Sequence, residues 1–181
     1  AFPAWTNGLE WDEETFVKAV RWADSKAERP KWVVVPDVVA DAVATLDKWH
    51  EWAPQLRERF PLAVAVQDGM TPSMVRPLHP DVVFVGGTVE FKWSTLPQWC
   101  AAFPRVHVGR VNGLKDLMRA HRAGAESVDG TGFFRGRREQ LYDLVNYLKE
   151  FAQPEDARLF PLQHRPDLFL SVELPDEPRH A

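Results

Sequence analysis

The chain predicts an α/β fold assembled from repeated parallel strand–helix units, and three observations carry that prediction. Five short apolar runs each end in polar or glycine residues: Val33-Val34-Val35-Pro36-Asp37, Ala63-Val64-Ala65-Val66-Gln67-Asp68-Gly69, Val82-Val83-Phe84-Val85-Gly86-Gly87-Thr88, Val106-His107-Val108-Gly109-Arg110 and Ser127-Val128-Asp129-Gly130. Segments of helical periodicity separate them, with strand starts about 20 to 30 residues apart, the spacing of βα units. The run from Val82 to Val85 shows no polar alternation, as in a strand covered on both faces. Parallel α/β domains present ligands at the carboxyl ends of their strands, so the repeated polar stops gather scattered residues into one candidate site.

The elements follow in order. Trp11-Asp12-Glu13-Glu14 opens a helix over residues 13–26, with acidic side chains in the first turn where the helix dipole favours them. Its apolar positions Phe16, Val17, Val20 and Ala23 recur at helical spacing. A strand follows at 32–35. A second helix, 41–59, carries Val43, Leu46, Trp49, Ala53 and Leu56 as a buried stripe, and Pro54 is expected to kink or split it. The second strand is 62–66. Thr71-Pro72 then reads as a helix start, a capping hydroxyl before a proline at the first helical position. After the third strand at 82–85 come a helix near 96–102, a strand at 105–108, and a helix over 114–123 closed by Gly124 in a left-handed cap. The fifth strand ends at Asp129, and an amphipathic helix spans 137–151. Beyond Gln153-Pro154 the prolines multiply. The chain therefore divides into a βα-repeat domain, 1–153, and a packed C-terminal extension with a frayed tail, 154–181.

Bulk properties narrow the classes. With 181 residues and 45% hydrophobic content the chain fits one globular domain with a sizeable core. No apolar stretch approaches the ~20 residues that span a bilayer and no signal-peptide pattern opens the chain, which fits a cytoplasmic location and no membrane partner. A single cysteine, Cys100, excludes an internal disulfide and a multi-cysteine metal site, and reads as a small buried apolar residue. A net charge of −4 requires any polynucleotide partner to meet a local basic patch. Of the 8 tryptophans, Trp22, Trp49 and Trp99 sit in helical phase with apolar neighbours and are expected in the core. The first residue is Ala1 rather than Met, which reads as a processed, trimmed or incompletely represented start. Five units do not complete an eight-fold barrel, which needs ~250 residues. The pattern alone fits either a smaller open sheet or the C-terminal part of a barrel whose opening strands are absent.

Each strand end offers a functional and a structural reading. Asp129, flanked by Gly130 and Gly132, could serve as nucleophile or general base, or as a turn residue. Asp37 lies where the ligand face should be, whereas Asp41 is most simply a helix cap. Gln67, beside Asp68, could offer donor and acceptor to a planar heterocycle, or orient a loop. Gly86-Gly87 could expose backbone N–H groups, or make a tight turn. Lys92 and Arg110 are cations near strand ends. Arg135, Arg137 and Arg138 could hold phosphates or begin a solvated helix. His107, inside a strand, reads as a core histidine, and no His/Cys/Asp spacing suggests a metal.

Taken in order, these clusters resemble the tRNA-guanine transglycosylase superfamily, including the phage enzymes that insert 7-deazaguanines into DNA. Val66-Gln67-Asp68-Gly69 is similar to that family's Val-Gln-Gly-Gly and Val85-Gly86-Gly87-Thr88 to its Val-Gly-Gly-Leu. Val108-Gly109, a helix, then Ser127-Val128-Asp129-Gly130 resembles its Val-Gly, helix, Phe-Asp-Cys run. The likeness covers about residues 33–138. It implies a (β/α)8 TIM barrel lacking or truncated in its N-terminal strands, and an enzyme exchanging a base on a nucleic acid without a cofactor. Asp129 would be the nucleophile forming a covalent glycosyl-enzyme. Asp37 and Gln67 would bind the purine or 7-deazaguanine edge, with the Gly87 and Thr88 backbone near its carbonyl oxygen. The family's tRNA enzymes carry a zinc site of several cysteines and a histidine that this chain cannot build, which implies DNA rather than whole tRNA as partner. The Val-Gly-Gly segment of the family also carries a glutamate where Lys92 stands. The family's second aspartate, in Asp-Ser-Gly-Gly-Phe, has no match: Thr6-Asn7-Gly8 offers Thr in its place, and the favoured reading puts that motif before Ala1 or on a second subunit. Two other classes compete, a Schiff-base aldolase or lyase using Lys92 and a non-catalytic nucleotide- or nucleic-acid-binding module. A purely structural α/β domain is the remaining alternative.

Overall fold

The computed structural model describes residues 11–151. In chain order these form α1 (Glu13–Asp24), β1 (Val33–Val34), α2 (Ala42–Leu56), β2 (Leu62–Val66), a one-turn α3 (Pro72–Val75) running into a 3-10 turn (Arg76–Leu78), β3 (Val82–Val85), α4 (Val89–Ala102), β4 (Val106–Val108), α5 (Leu114–Ala123), β5 (Ser127–Val128), a one-turn α6 (Gly132–Arg135) and α7 (Arg138–Phe151). Every strand pair is parallel and the sheet order is β1-β2-β3-β4-β5. A doubly wound sheet reverses its strand order and so carries helices on both faces; a sequential order, with crossovers of one hand, keeps them on one. The result is a curled half-barrel of five parallel strands with helices between, and no complete eight-stranded barrel is present among the described residues.

The two faces of the sheet differ in chemistry. Towards the helices point Leu62, Val64, Val66, Val83, Val85, Val106 and Val108, each at most 1% exposed. They form one cluster with Trp49, Trp52 and Leu56 of α2, Trp93, Leu96 and Trp99 of α4, and Leu117 and Ala120 of α5. On the other face the register sets Ala65, Phe84, His107 and Ser127 side by side across β2 to β5. That row mixes small, aromatic and polar groups where the helix-covered side is purely aliphatic.

Side-chain caps open α1, α2 and α4. Asp12 Oδ1 accepts from Thr15 N at 2.9 Å, Asp41 Oδ1 from Ala44 N at 3.0 Å, and Thr88 Oγ1 from Phe91 N at 3.2 Å. Gly124 closes α5 at φ 86°, the left-handed cap anticipated there.

Several expectations need correction. Pro54 does not split α2, which is continuous to Leu56; so near the helix end its missing N–H removes only one late bond. Thr71 does not cap α3, because its hydroxyl pairs with Ser73 Oγ at 2.9 Å. The helix expected at 96–102 begins at Val89 and passes through Pro97. Proline at 97 frees the carbonyl of Trp93, and Arg119 Nη2 takes it at 3.2 Å while its guanidinium lies 4.9 Å from the Trp93 ring. Trp49 and Trp99 are core, but Trp22 is 65% exposed and Val43 69% exposed. Phe16, Val17, Val20 and Ala23 make the packed face of α1, so Trp22 falls outside it and lies under the Lys26 ammonium at 4.6 Å. Cys100 is half-buried against the core, and burial pushes its thiol upward. Among the described residues no helix is long and apolar enough to cross a membrane. The expectations for Thr6-Asn7-Gly8 and for 154–181 lie outside the described residues.

Candidate active site

One step past the strand ends, the parallel ladder continues. Gly86 N donates to Val66 O at 3.1 Å, Gly109 N to Val85 O at 3.2 Å and Asp129 N to Val108 O at 3.1 Å. Gln67, Gly86, Gly109 and Asp129 thereby stand in a second row above Ala65, Phe84, His107 and Ser127. The two central members have no side chain, and the space is needed. A Cβ on Gly109 would lie 2.6 Å from the Phe84 ring, and one on Gly86 3.0 Å from Gln67 Nε2. A cleft of about 430 Å³ opens over this glycine floor, lined by Asp37, Gln67, Gly86, Gly87, Arg110 and Asp129 with apolar walls from Val34, Phe84, Trp11 and Phe16. That volume is within the ordinary range for a small-molecule or base site.

Asp129 sits at one lip with its side chain about half exposed. Its Oδ1 accepts from Arg110 N at 2.7 Å and its Oδ2 lies 3.2 Å from His107 Nε2. Burial alone would raise its pKa, but the His107 hydrogen bond, the Arg110 amide and the charges of His107 and Lys92 outweigh it and hold the carboxyl below its usual value. Asp129 is therefore a ready anion at neutral pH. The flanking glycines serve packing rather than ligand approach: a Cβ on Gly130 would strike the Val111 carbonyl, and one on Gly132 would lie 2.5 Å from Asn112 O.

Asp37 occupies the opposite lip. Its Oδ2 accepts from Gln67 Nε2 at 2.8 Å, and Gln67 Oε1 in turn accepts from Ala40 N at 3.0 Å. Gln67 is 1% exposed, so it fixes the 37–40 loop and presents Asp37 rather than meeting a ligand broadly itself. Burial pushes Asp37 upward, against the opposing charge of Arg110. The two cleft aspartates are thus driven in opposite directions.

The remaining sequence candidates divide. Asp68 accepts from Thr88 N at 2.8 Å and from Thr88 Oγ1 at 2.5 Å, locking the loop into α4. Gly86 N is spent on the ladder and Thr88 N on Asp68, so neither is an amide offered to a ligand. Gly87 takes φ +71° with Asp68 Oδ2 2.5 Å from its would-be Cβ, a turn only glycine fits. Arg110, itself at φ 59°, lines the cleft and donates from Nη2 to Gly87 O, tying β4 to the β3 loop. Lys92 lies in α4 beneath the cleft, 2% exposed, its ammonium donating to Gly109 O at 2.8 Å and Arg110 O at 3.4 Å. Burial first, then the charge of Arg110, lowers its pKa. Arg135, Arg137 and Arg138 are exposed on the segment after Asp129, and Arg138 lies 5.7 Å from the Tyr142 ring.

His107 is the residue that sequence reasoning missed. It is 5% exposed, as a core histidine would be, yet one nitrogen faces Asp129 and the other Ser127. The alternating pattern His107, Gly109 against Ser127, Asp129 carried that signal once the two strands are neighbours. Among the described residues no group of three or more His, Cys, Asp and Glu could hold a metal ion. No family model, curated protein or solved structure matches the chain.

Proposed function

We propose that the chain is the catalytic part of a base-exchanging transglycosylase acting on a nucleic acid, with Asp129 as nucleophile. The observation that carries this reading is the row across the cleft of about 430 Å³: a carboxylate held as an anion at one end, a glycine floor without side chains, and a second, amide-held carboxyl on the facing lip. A carboxylate is suited to this chemistry because it stabilises an oxocarbenium-like transition state and then forms an ester. Asp129 attacks the anomeric carbon, the bond from that carbon to the base nitrogen breaks, and its electron pair leaves with the base. The incoming base then attacks the same carbon through its nitrogen, the ester bond breaks and its electron pair returns to the Asp129 carboxylate; the departing base gains a proton and the incoming base loses one, so the exchange is proton-neutral. Asp37 recognises donor groups on the base edge, with Gln67 acting through it, and the Arg110 cation faces charge developing on the leaving base.

A target base reaches such a cleft only by leaving its stack. Arg135, Arg137 and Arg138, adjoining Asp129 in sequence, provide the local positive charge for phosphates that the overall −4 charge lacks. The Schiff-base alternative fares less well, since the Lys92 ammonium lies under the floor and is engaged by two carbonyls.

The test is intact-protein mass spectrometry after mixing the chain with a guanine-containing oligonucleotide and a 7-deazaguanine. The expected result is a nucleic-acid adduct on Asp129 that Asp129→Ala abolishes while oligonucleotide binding persists. Binding without an adduct under turnover conditions would instead favour a recognition module.

A further inference from the structure

We infer that His107 is a positioning residue that clamps the Asp129 carboxylate in its attacking orientation. This rests on Asp129 being the nucleophile, and it starts from a feature that packing does not require. His107 lies in β4 on the sheet face away from the helices, stacked on Phe84 (centroids 4.9 Å, 29°) and met edgewise by Trp32 (4.9 Å, 62°). A phenyl ring would fill that slot without the desolvation cost of an imidazole. The imidazole instead uses both nitrogens: Nδ1 is 2.8 Å from Ser127 Oγ and Nε2 3.2 Å from Asp129 Oδ2.

The hydrogen positions follow from the partners. An ionised carboxylate only accepts, so Nε2 carries the proton. The Ser127 hydroxyl rotates, donating to Nδ1 when the ring is neutral and accepting from it when the ring is charged. The donor towards Asp129 therefore survives in both ring states. Asp129 Oδ1 meanwhile accepts from Arg110 N, and the Arg110 loop is held from below by Lys92 through the carbonyls of Gly109 and Arg110. One donor on each oxygen fixes the carboxylate plane, and rotation about its side-chain bonds would break both. Among the described residues, the charged and titratable groups facing this pair are Lys92 from α4 and Arg110 from the loop after β4; Ser127 of β5 and Asp129 just beyond it complete the contact, with Trp32 ahead of β1 and Phe84 of β3 packed on the ring.

The experiment reads Asp129 directly, in the full chain and without substrate, by carboxyl-carbon NMR titration of the parent, His107→Phe and His107→Gln. Removing the donor takes away an influence that lowers the Asp129 pKa, so His107→Phe should titrate at higher pH, and Gln, which keeps a side-chain N–H, should recover part of the shift. Adduct formation should slow about 100-fold in His107→Phe, the order of loss for a nucleophile displaced by about an ångström, with its acid limb moved to higher pH and KM little changed. Ring-nitrogen NMR of the parent gives a readout that needs no variant: Nε2 must be protonated wherever Asp129 is ionised. An unshifted Asp129 titration in His107→Phe, or a bare Nε2 in the parent, overturns the clamp. A shifted titration in a protein that never forms an adduct would keep the clamp and remove the nucleophile.

Discussion

The two lips of the cleft carry the same functional group under opposite influence. On the β5 side Asp129 is half exposed and receives donors from His107 and Arg110; on the β1 side Asp37 is more enclosed and receives the Gln67 amide. Burial presses upward on both, but only at Asp129 do hydrogen bonds and cations overcome it. The lesson is that two aspartates at equivalent strand ends are set apart by what stands one strand away. One carboxyl is held towards its ionised form and the other pressed towards its neutral one, by neighbours rather than by any difference in the side chain itself.

The strongest way to break this contrast is Gln67→Leu. It leaves Ala40 N and Asp37 without their amide partner in a buried setting, a loss of about 1–3 kcal/mol that chemical denaturation should register, with the Asp37 lip loosening and the Asp129 lip unchanged. Next comes Gly87→Ala, which tests the rigidity between the lips. Positive φ together with the approach of Asp68 Oδ2 and Phe91 should cost about 1 kcal/mol or more, measured by the same method. The smallest effect is the sharpest in sign. Because the folded pKa of Asp37 is raised above 3.8, folding is progressively disfavoured as pH climbs from about 3.8 through that raised value, and the whole penalty is present above it. Asp37→Asn should therefore have a higher Tm than the parent at pH 7 and an equal one near pH 3. Asp129→Asn should behave oppositely: its lowered folded pKa contributes stability above 3.8 that fades as pH falls through the folded value, so at pH 7 the variant should melt lower. Equal signs for the two variants would erase the distinction.

How much of this was legible in the chain follows from range. Strands and the Gly124 stop were readable because their signals are local: an apolar run, a cap, a glycine that turns left. The gathering of Asp37, Gln67, Gly86 and Asp129 at one end was readable because parallel units repeat their polarity. Trp22 was not, since a tryptophan in helical phase says which face it shares, not whether that face meets the sheet. The start of α4 was hidden by Pro97, whose local veto is lifted by Arg119 from the next helix. Lys92 reads as a strand-end cation until the helix folds it under the floor. His107 is the clearest case: nothing around it in sequence announces Ser127 and Asp129, which reach it only when β4 and β5 pair.

The sequential strand order has a consequence for how the molecule is made. Every strand bonds to the strand that precedes it in the chain, so each new ribbon needs only a loop of some tens of residues to close, and the entropy of closure stays small and uniform. Emerging from the ribosome, the protein can assemble by accretion, one unit zipping onto the last, and the growing edge passes from β1 towards β5. Of the five described strands, the one that carries the Asp129 lip is thus the last to join, and the cleft between the two aspartates closes only after the other four are in place.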